Sequence, residues 1–358
     1  MFTRRNLMGT AIICPIAALR AQAGKAPLKY LQIGVGHAHA NKIQVYQESP
    51  DWDVIGIVEE NPKLLAKAKN NDAYKQFPLL TLEEGLNMPG LSVVGIETEI
   101  GELLKYASVA ISAGKHVHLD KPAGSQLEPY QKLMEEADAG GLVVQMGYMY
   151  RHNPAIRLLH RILDAGWLGE VFETHAVMSK VISDTSRQVL DGFSGGTMFE
   201  LGGHIIDLTI DVLGAPSSVS AFPRRTVDKE GDTLIDNMLA VLEYPKATAT
   251  VRSTGLEVEG SGRRHFTVCG TEGTCHIQPL DRPKMKLSLS RDRKFSDGGE
   301  VFRKGTTEIP FEPPYRRYVG DAAQLAAIVR GEIKNPYPSS HDLAVQEALL
   351  EASNMRKF

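Results

Sequence analysis

In Met198-Phe199-Glu200-Leu201-Gly202-Gly203-His204-Ile205-Ile206-Asp207-Leu208, an imidazole stands four residues after one carboxylate and three before another. On an α-helix those spacings put Glu200, His204 and Asp207 on one face. A carboxylate beside an imidazole is a common way to hold a general base in orientation. A water-facing polar stripe explains the pattern poorly, because the flanking residues are apolar. Gly202 and Gly203 each cost roughly 1 kcal/mol in a helix interior, which points to something approaching the backbone closely. Glu200 and His204 could also ligate a metal. No third ligand is spaced to complete a set, so no metal is expected. A second signal is Asp120-Lys121-Pro122, which closes a predicted strand. Pro122 restricts Lys121 to extended conformations. An ammonium at the carboxyl end of a parallel strand faces the ligand edge of the sheet, where it can steady a developing alkoxide. Taken alone, Lys121 reads better as a surface lysine after a strand.

A third signal lies near the start. Tyr30-Leu31-Gln32-Ile33 runs into Gly34-Val35-Gly36-His37-Ala38-His39. Gly34 and Gly36 stand at the first two positions of a dinucleotide fingerprint, with His39 at the third in place of Gly or Ala. The first glycine permits the tight turn and the second lets the backbone approach a pyrophosphate. Glu59 ends the next strand about 20 residues on, where a carboxylate accepts hydrogen bonds from a ribose hydroxyl. It would also repel a 2′-phosphate, so NAD is expected over NADP.

These residues need a frame to bring them together. Strand-like runs at 30–33, 54–58, 91–96, 116–120 and 142–150 alternate with helical patterns, including 62–70 and 102–113. Thr81 with Glu84, and Ser125 with Glu128, read as helix capping boxes. This alternation predicts an α/β domain, a parallel sheet with helices on both faces, over residues 28–150. Beyond it, runs at 171–177, 219–221, 237–243, 248–252, 265–268 and 284–289 predict a mostly antiparallel sheet in an α+β domain spanning 151–358. A helix over 197–213 is inserted in it, and helices near 321–330 and 341–353 close the chain. The 358 residues suit about two domains of roughly 150. With 42% hydrophobic and 23% charged residues the chain can build such cores, which excludes a disordered polypeptide. No uncharged apolar run approaches ~18–20 residues, so a stable membrane anchor is not expected. Lys and Arg number 40 against 43 Asp and Glu, a net charge of −3, and no nucleic-acid partner is expected.

The ordered set of glycine loop, strand-end acid, Lys-Pro, Tyr-Arg and acid-x-Gly-x-His-x-x-Asp resembles the glucose–fructose oxidoreductase, inositol dehydrogenase and rhizopine-catabolism family (Gfo/Idh/MocA), from about Tyr30 to near the carboxyl terminus. The family's Glu-Lys-Pro is Asp120-Lys121-Pro122 here, its Gly-Tyr-x-x-Arg is Gly147-Tyr148-Met149-Tyr150-Arg151, and its Asp-x-Gly-x-His-x-x-Asp is Glu200 to Asp207. The resemblance implies a catalytic Lys121 and His204 as proton acceptor supported by Glu200. It implies a cofactor site including Gly34, Gly36, His37, His39, Glu59, Thr98, Asp120 and Lys121, and a substrate site including Arg151, His204 and Asp207. It implies hydride transfer between a nicotinamide cofactor and a sugar, polyol or related cyclic alcohol. It also implies an open-faced second sheet that pairs subunits into a homo-oligomer. Some relatives instead cleave glycosides by transient oxidation, and a nucleotide-binding sensor without turnover is a further alternative. The chain departs from the family where the strand before Lys121 commonly ends Thr-Pro with a histidine a few residues on: here stand Thr98-Glu99 and Leu103.

The amino terminus reads separately. Arg4-Arg5 precedes a short apolar stretch, Gly9 to Leu19, and then Ala21-Gln22-Ala23. A basic start, a short apolar run and a small-x-small site make a secretory signal, and paired arginines after Thr3 resemble the twin-arginine type. Residues 1–23 are therefore expected to be removed on export to the periplasm or the exterior. Cys14 lies within that segment, while Cys269 and Cys275 flank the turn at 270–274. A three-residue loop would set these two cysteines opposite each other, and a two-residue loop would pair Cys269 with Thr274. Two unbridged residues in a hairpin is the favoured reading.

Overall fold

The computed structural model describes residues 25–355, so the expected signal segment lies outside the described residues. Six parallel strands build the first sheet: β1 (Leu28–Ile33), β2 (Trp52–Val58), β3 (Leu79–Leu80), β4 (Leu91–Ile96), β5 (His116–Leu119) and β6 (Val144–Met146). Their order is β3-β2-β1-β4-β5-β6. The strand order reverses between β1 and β4, and in open α/β sheets the crevice beyond the strand ends at such a point holds the ligand. The connecting helices are α1 (Ile43–Glu48), α2 (Pro62–Lys69), α3 (Leu82–Leu86), α4 (Leu103–Ser112) and α5 (Leu127–Ala139). Several stop or start for a local reason. Thr81 and Glu84 form the expected capping box on α3, and Asn61 caps α2 ahead of Pro62. Gly114, at φ +70°, follows α4. The box expected from Ser125 is not formed, because α5 begins after Gln126 with no side-chain cap.

The strand expected over 142–150 is only three residues long. After Met146 the chain turns through Gly147 to His152, and Asn153 caps α6 (Pro154–Asp164) by accepting from the Ala155 N–H at 2.9 Å. The second sheet follows: β7 (Val171–Val177), β8 (Ser218–Arg224), β9 (Asn237–Glu243), β10 (Thr248–Thr254), β11 (His265–Gly270), β12 (Gly273–Ile277), β13 (Lys284–Leu289), and, past the small ribbon of β14 (Arg293–Phe295) and β15 (Gly298–Phe302), β16 (Gly305–Pro310). Their order is β16-β13-β12-β11-β7-β10-β9-β8. All neighbours are antiparallel except β7 with β10. Helices α7 (Asp184–Asp191) and α8 (Gly203–Leu213) interrupt it, and α9 (Val319–Val329) and α10 (Ser339–Ala352) close the chain. The turn between β11 and β12 takes the tighter alternative: Cys269 pairs with Thr274, and Val268 with Cys275. Both cysteines are free, with Cys275 buried.

The two sheets share one apolar core, running from Leu31 and Ile96 through Tyr148 and Ile205 to Val251 and Phe266. A second cluster explains why the expected division at residue 150 does not separate the packing. Helix α9 lies far along the chain, yet Ala322, Leu325 and Ala326 pack with Tyr30 and Trp52 of the first sheet and Tyr46 of α1. The Trp52 indole N–H donates to the Ala322 carbonyl at 3.2 Å, which satisfies the polar atom of a buried ring. No helix among the described residues is long and apolar enough to cross a membrane.

Candidate active site

The glycine loop leaves β1 at the switch point. Gly34 adopts φ +90°, and its N–H donates to the Val58 carbonyl at 2.7 Å. A Cβ on Gly34 would stand 2.6 Å from the Thr98 nitrogen, and one on Gly36 2.8 Å from Cγ of Glu99. Both glycines are therefore demanded by the turn after β4 as well as by any ligand. Beside the loop opens a cleft of about 760 Å³ whose lining includes Gly34, Glu59, Asn61, Lys63, Thr98 and Glu99. Glu59 sits as expected at the end of β2. Its Oε2 accepts from the Val35 N–H at 2.9 Å and its Oε1 from the Asn61 N–H at 2.8 Å. Each carboxylate oxygen retains a second lone pair for a ribose hydroxyl. Cleft, loop and acid together fit a dinucleotide.

Beneath the loop lies a buried charged cluster that adds Lys42, Glu97 and His118, which no sequence motif announces, to His37, His39 and Asp120. The Lys42 ammonium is 2.6 Å from Oδ2 of Asp120 and 2.8 Å from Oε1 of Glu97, with all three side chains wholly buried. It also lies 3.3 Å from Nε2 of His118. An ammonium can only donate, so His118 Nε2 accepts and Nδ1–H is donated to the Tyr46 oxygen at 2.5 Å. The His37 ring lies between the Lys121 carbonyl (3.1 Å) and the Asp120 carboxylate (3.2 Å). Nδ1 of His39 is 3.2 Å from the same carboxylate. Burial would raise Asp120, but His37, Lys42 and His39 outweigh it and hold the acid well below its usual range. Burial instead prevails at Glu97, which is pushed up. The signal in the sequence was present but subtle: Glu97 and Asp120 each extend an apolar strand, and two acids ending adjacent buried strands require a cation.

Lys121 and His204 do come together near this loop. Lys121 is 1% exposed and its ammonium donates to the Glu200 carbonyl at 2.6 Å. His204 is equally buried, and its ring centroid is 6.0 Å from that of His39. Tyr148 and Tyr150 flank it edge-on at 6.2 and 5.8 Å. Burial lowers His204 well below the usual imidazole value, and Lys121 and His39 push it the same way. The imidazole is thus neutral near pH 7, with Nδ1 buried and, among the described residues, unpartnered.

Three expectations need correction. Glu200 does not support His204. Residues Met198–Gly202 form a π-helical turn before α8 begins, so the i, i+4 geometry of a uniform helix is lost. The Glu200 carboxylate instead lies between two ammonium groups, 3.7 Å from Lys121 and 3.8 Å from Lys180. Burial would raise its pKa, yet the two lysines outweigh that and lower it. Arg151 and Asp207 do not present themselves to a substrate. Arg151 holds Asp207 at 2.6 Å and Asp342 at 2.5 Å, and stacks 3.7 Å over the Tyr337 ring. Asp207 also meets His341 at 3.0 Å. The guanidinium is one buried clamp between the turn after β6, α8 and α10. The close approach implied by Gly202 and Gly203 is also internal: a Cβ would lie 2.5 Å from the Met198 sulfur at Gly202 and 3.3 Å from the Tyr148 ring at Gly203.

Comparison with known proteins agrees with this arrangement. Residues 28–148 match the model of the oxidoreductase family with an NAD-binding Rossmann fold, and residues 156–276 match the Gfo/Idh/MocA C-terminal domain. The chain is 27% identical to the uncharacterized oxidoreductase YdgJ of Escherichia coli, over 84% of this chain and 82% of that protein. It is 26% identical to the scyllo-inositol 2-dehydrogenase (NADP(+)) IolW of Bacillus subtilis, over 67% of this chain and 69% of that one. The aldose-aldose oxidoreductase of Caulobacter crescentus shares the fold with a TM-score of 0.75 at 18% identity, covering 92% of this chain and 98% of the other. With a parallel dinucleotide sheet, an antiparallel partner sheet and both family models matched, the chain belongs to the Gfo/Idh/MocA family of oxidoreductases.

Proposed function

We propose that this protein is an exported, NAD-linked oxidoreductase acting on a secondary alcohol of a sugar or polyol. The observation that carries the reading is that His204 and the Lys121 ammonium are both buried near the glycine loop at the strand switch point, where burial and Lys121 both favour the neutral imidazole. A neutral imidazole can accept the hydroxyl proton of a bound alcohol, and an ammonium beside the same oxygen stabilises the alkoxide as it develops. When bound, the nicotinamide supplies the two-electron acceptor for the carbinol hydride. Glu200, held between Lys121 and Lys180, keeps the Lys121 ammonium in place and offers a carboxylate for a neighbouring hydroxyl. Gly34, Gly36, Glu59 and Thr98 would hold the dinucleotide, with His37, His39 and Asp120 completing the site around the glycine loop.

Glu59 supports NAD over NADP, since a second negative charge on the ribose would face its carboxylate. The relatives' substrates, an inositol and an aldose, support a polyhydroxylated ligand. The paired Arg4-Arg5 and the Ala21-Gln22-Ala23 site support export by the twin-arginine route. The uncovered face of the second sheet, which carries Phe222 at 45% exposure, supports pairing of subunits there. The test offers NAD and NADP separately to the mature protein with a panel of free sugars, inositols and aryl glycosides. NADH should accumulate in proportion to product from at least one free sugar or polyol. Release of aglycone over many turnovers with no net NADH would contradict net oxidation, and reduction of NADP alone would contradict the role of Glu59.

A further inference from the structure

The cleft beside the glycine loop is lined by four carboxylates, and three of them have close partners. Glu59 accepts the two backbone N–H bonds described above. Glu60 accepts from the Tyr106 hydroxyl at 2.5 Å, and Glu102 pairs with Lys105 at 2.7 Å. Glu99 differs. It is exposed, and among the described residues its carboxylate is met by one side-chain donor, Asn61 Nδ2, at a long 3.5 Å. Its stem nonetheless lies across the loop: a Cβ on Gly36 would be 2.8 Å from Glu99 Cγ and 3.1 Å from Glu99 N. The glycine that lets a backbone approach a pyrophosphate thus has a carboxylate-bearing side chain leaning over it.

We propose that Glu99 is a negative determinant of cofactor affinity: its charge over the glycine loop opposes the dinucleotide's phosphates, so that the cofactor binds weakly and exchanges instead of being retained. This rests on the dinucleotide reading above. Because Glu99 is exposed and weakly held, its charge can be removed without disturbing the fold. Glu99→Gln preserves the stem over Gly36 and the contact with Asn61, and changes only the charge. Glu99→Lys reverses the charge.

The experiment is a calorimetric titration of NADH into the mature wild-type protein and both variants, at low and at high salt, with thermal melts to verify folding. Affinity should rise in the order Glu, Gln, Lys, with Glu99→Gln binding roughly three- to tenfold tighter than wild type at low salt. The gap should close at high salt, as the screening length falls from about 30 Å at 0.01 M to about 3 Å at 1 M. Equal affinities across the three proteins would overturn the role of Glu99 while leaving the dinucleotide reading intact. So would a gap that salt does not change, because that would reflect altered packing. Failure of all three folded proteins to bind NADH would overturn the dinucleotide reading itself, and this proposal with it.

Discussion

His204 is the residue on which the chemistry turns. Burial, the Lys121 ammonium and the nearby His39 all act against its protonation, so it remains a free base well into the acid range. Replacing it with Ala should lower turnover by about 10²–10⁴, the usual contribution of a general base. NADH affinity should stay unchanged, because the substitution leaves Gly34, Gly36, Glu59 and Thr98, the residues that would hold the dinucleotide, in place. Steady-state kinetics with a parallel titration checks both. Lys121→Met should move the His204 titration to higher pH, since it removes a positive charge that opposes protonation, and NMR of the imidazole reads this directly. At this scale the sequence disclosed residue types better than partners. Lys121 and His204 stand near the glycine loop as their motifs imply. Glu200 escaped because periodicity assumes an unbroken α-helix, and the π turn at Met198–Gly202 breaks that assumption. Lys42 and Glu97 escaped because a charged residue is ordinarily read as solvated, whereas Lys42 is buried against Asp120 and Glu97 inside the fold.

Among the elements, the Arg151 clamp holds the turn after β6 against α8 and α10. Cutting it leaves Asp207 and Asp342 buried with their main cation gone, although His341 still meets Asp207. Arg151→Met should destabilise the protein by about 3–5 kcal/mol in chemical denaturation, the usual consequence of breaking a buried ion pair. KM of the folded fraction should change little. A raised KM at undiminished stability would instead return Arg151 to the substrate site. Strands with a buried apolar alternation, such as β9 and β13, were legible from sequence because one face must be covered. The short strand β12, with Gly273 and Thr274 at its start, and β16, with Gly305 to Thr307, offer too few apolar residues to show that alternation. The length of β6 was overestimated because Gly147 to Tyr150 remain apolar after the backbone has turned.

Across the whole molecule, α9 binds the end of the chain to the first sheet, and buried histidines make that assembly acid-sensitive. Burial lowers His39 from 6.5 to about 4, against the opposing pull of Asp120. Burial lowers His118 and His204 well below 6.5, with Lys42 and Lys121 respectively acting the same way. Such groups take up protons on unfolding, so their contribution is complete above about 6.5 and declines as pH falls toward each folded value. For His39 that window runs from 6.5 to about 4. Denaturation midpoints should therefore drop between about pH 7 and about pH 5, and more gently when His118 is replaced by Phe. A flat profile over that range would show the imidazoles to be charged in the fold.

The central claim is that a carbinol hydride leaves the substrate while His204 takes the hydroxyl proton. Its most direct test is isotopic: a sugar or polyol that the enzyme accepts, deuterated at its carbinol carbons, is turned over once with NAD, and the nucleotide is recovered for mass analysis. The recovered NADH should carry one deuterium, and His204→Ala loaded with the same NAD should yield almost none. Product formed by the wild-type protein with no deuterium in the nucleotide would contradict hydride transfer, and a fully labelled nucleotide from His204→Ala would contradict the assignment of the base.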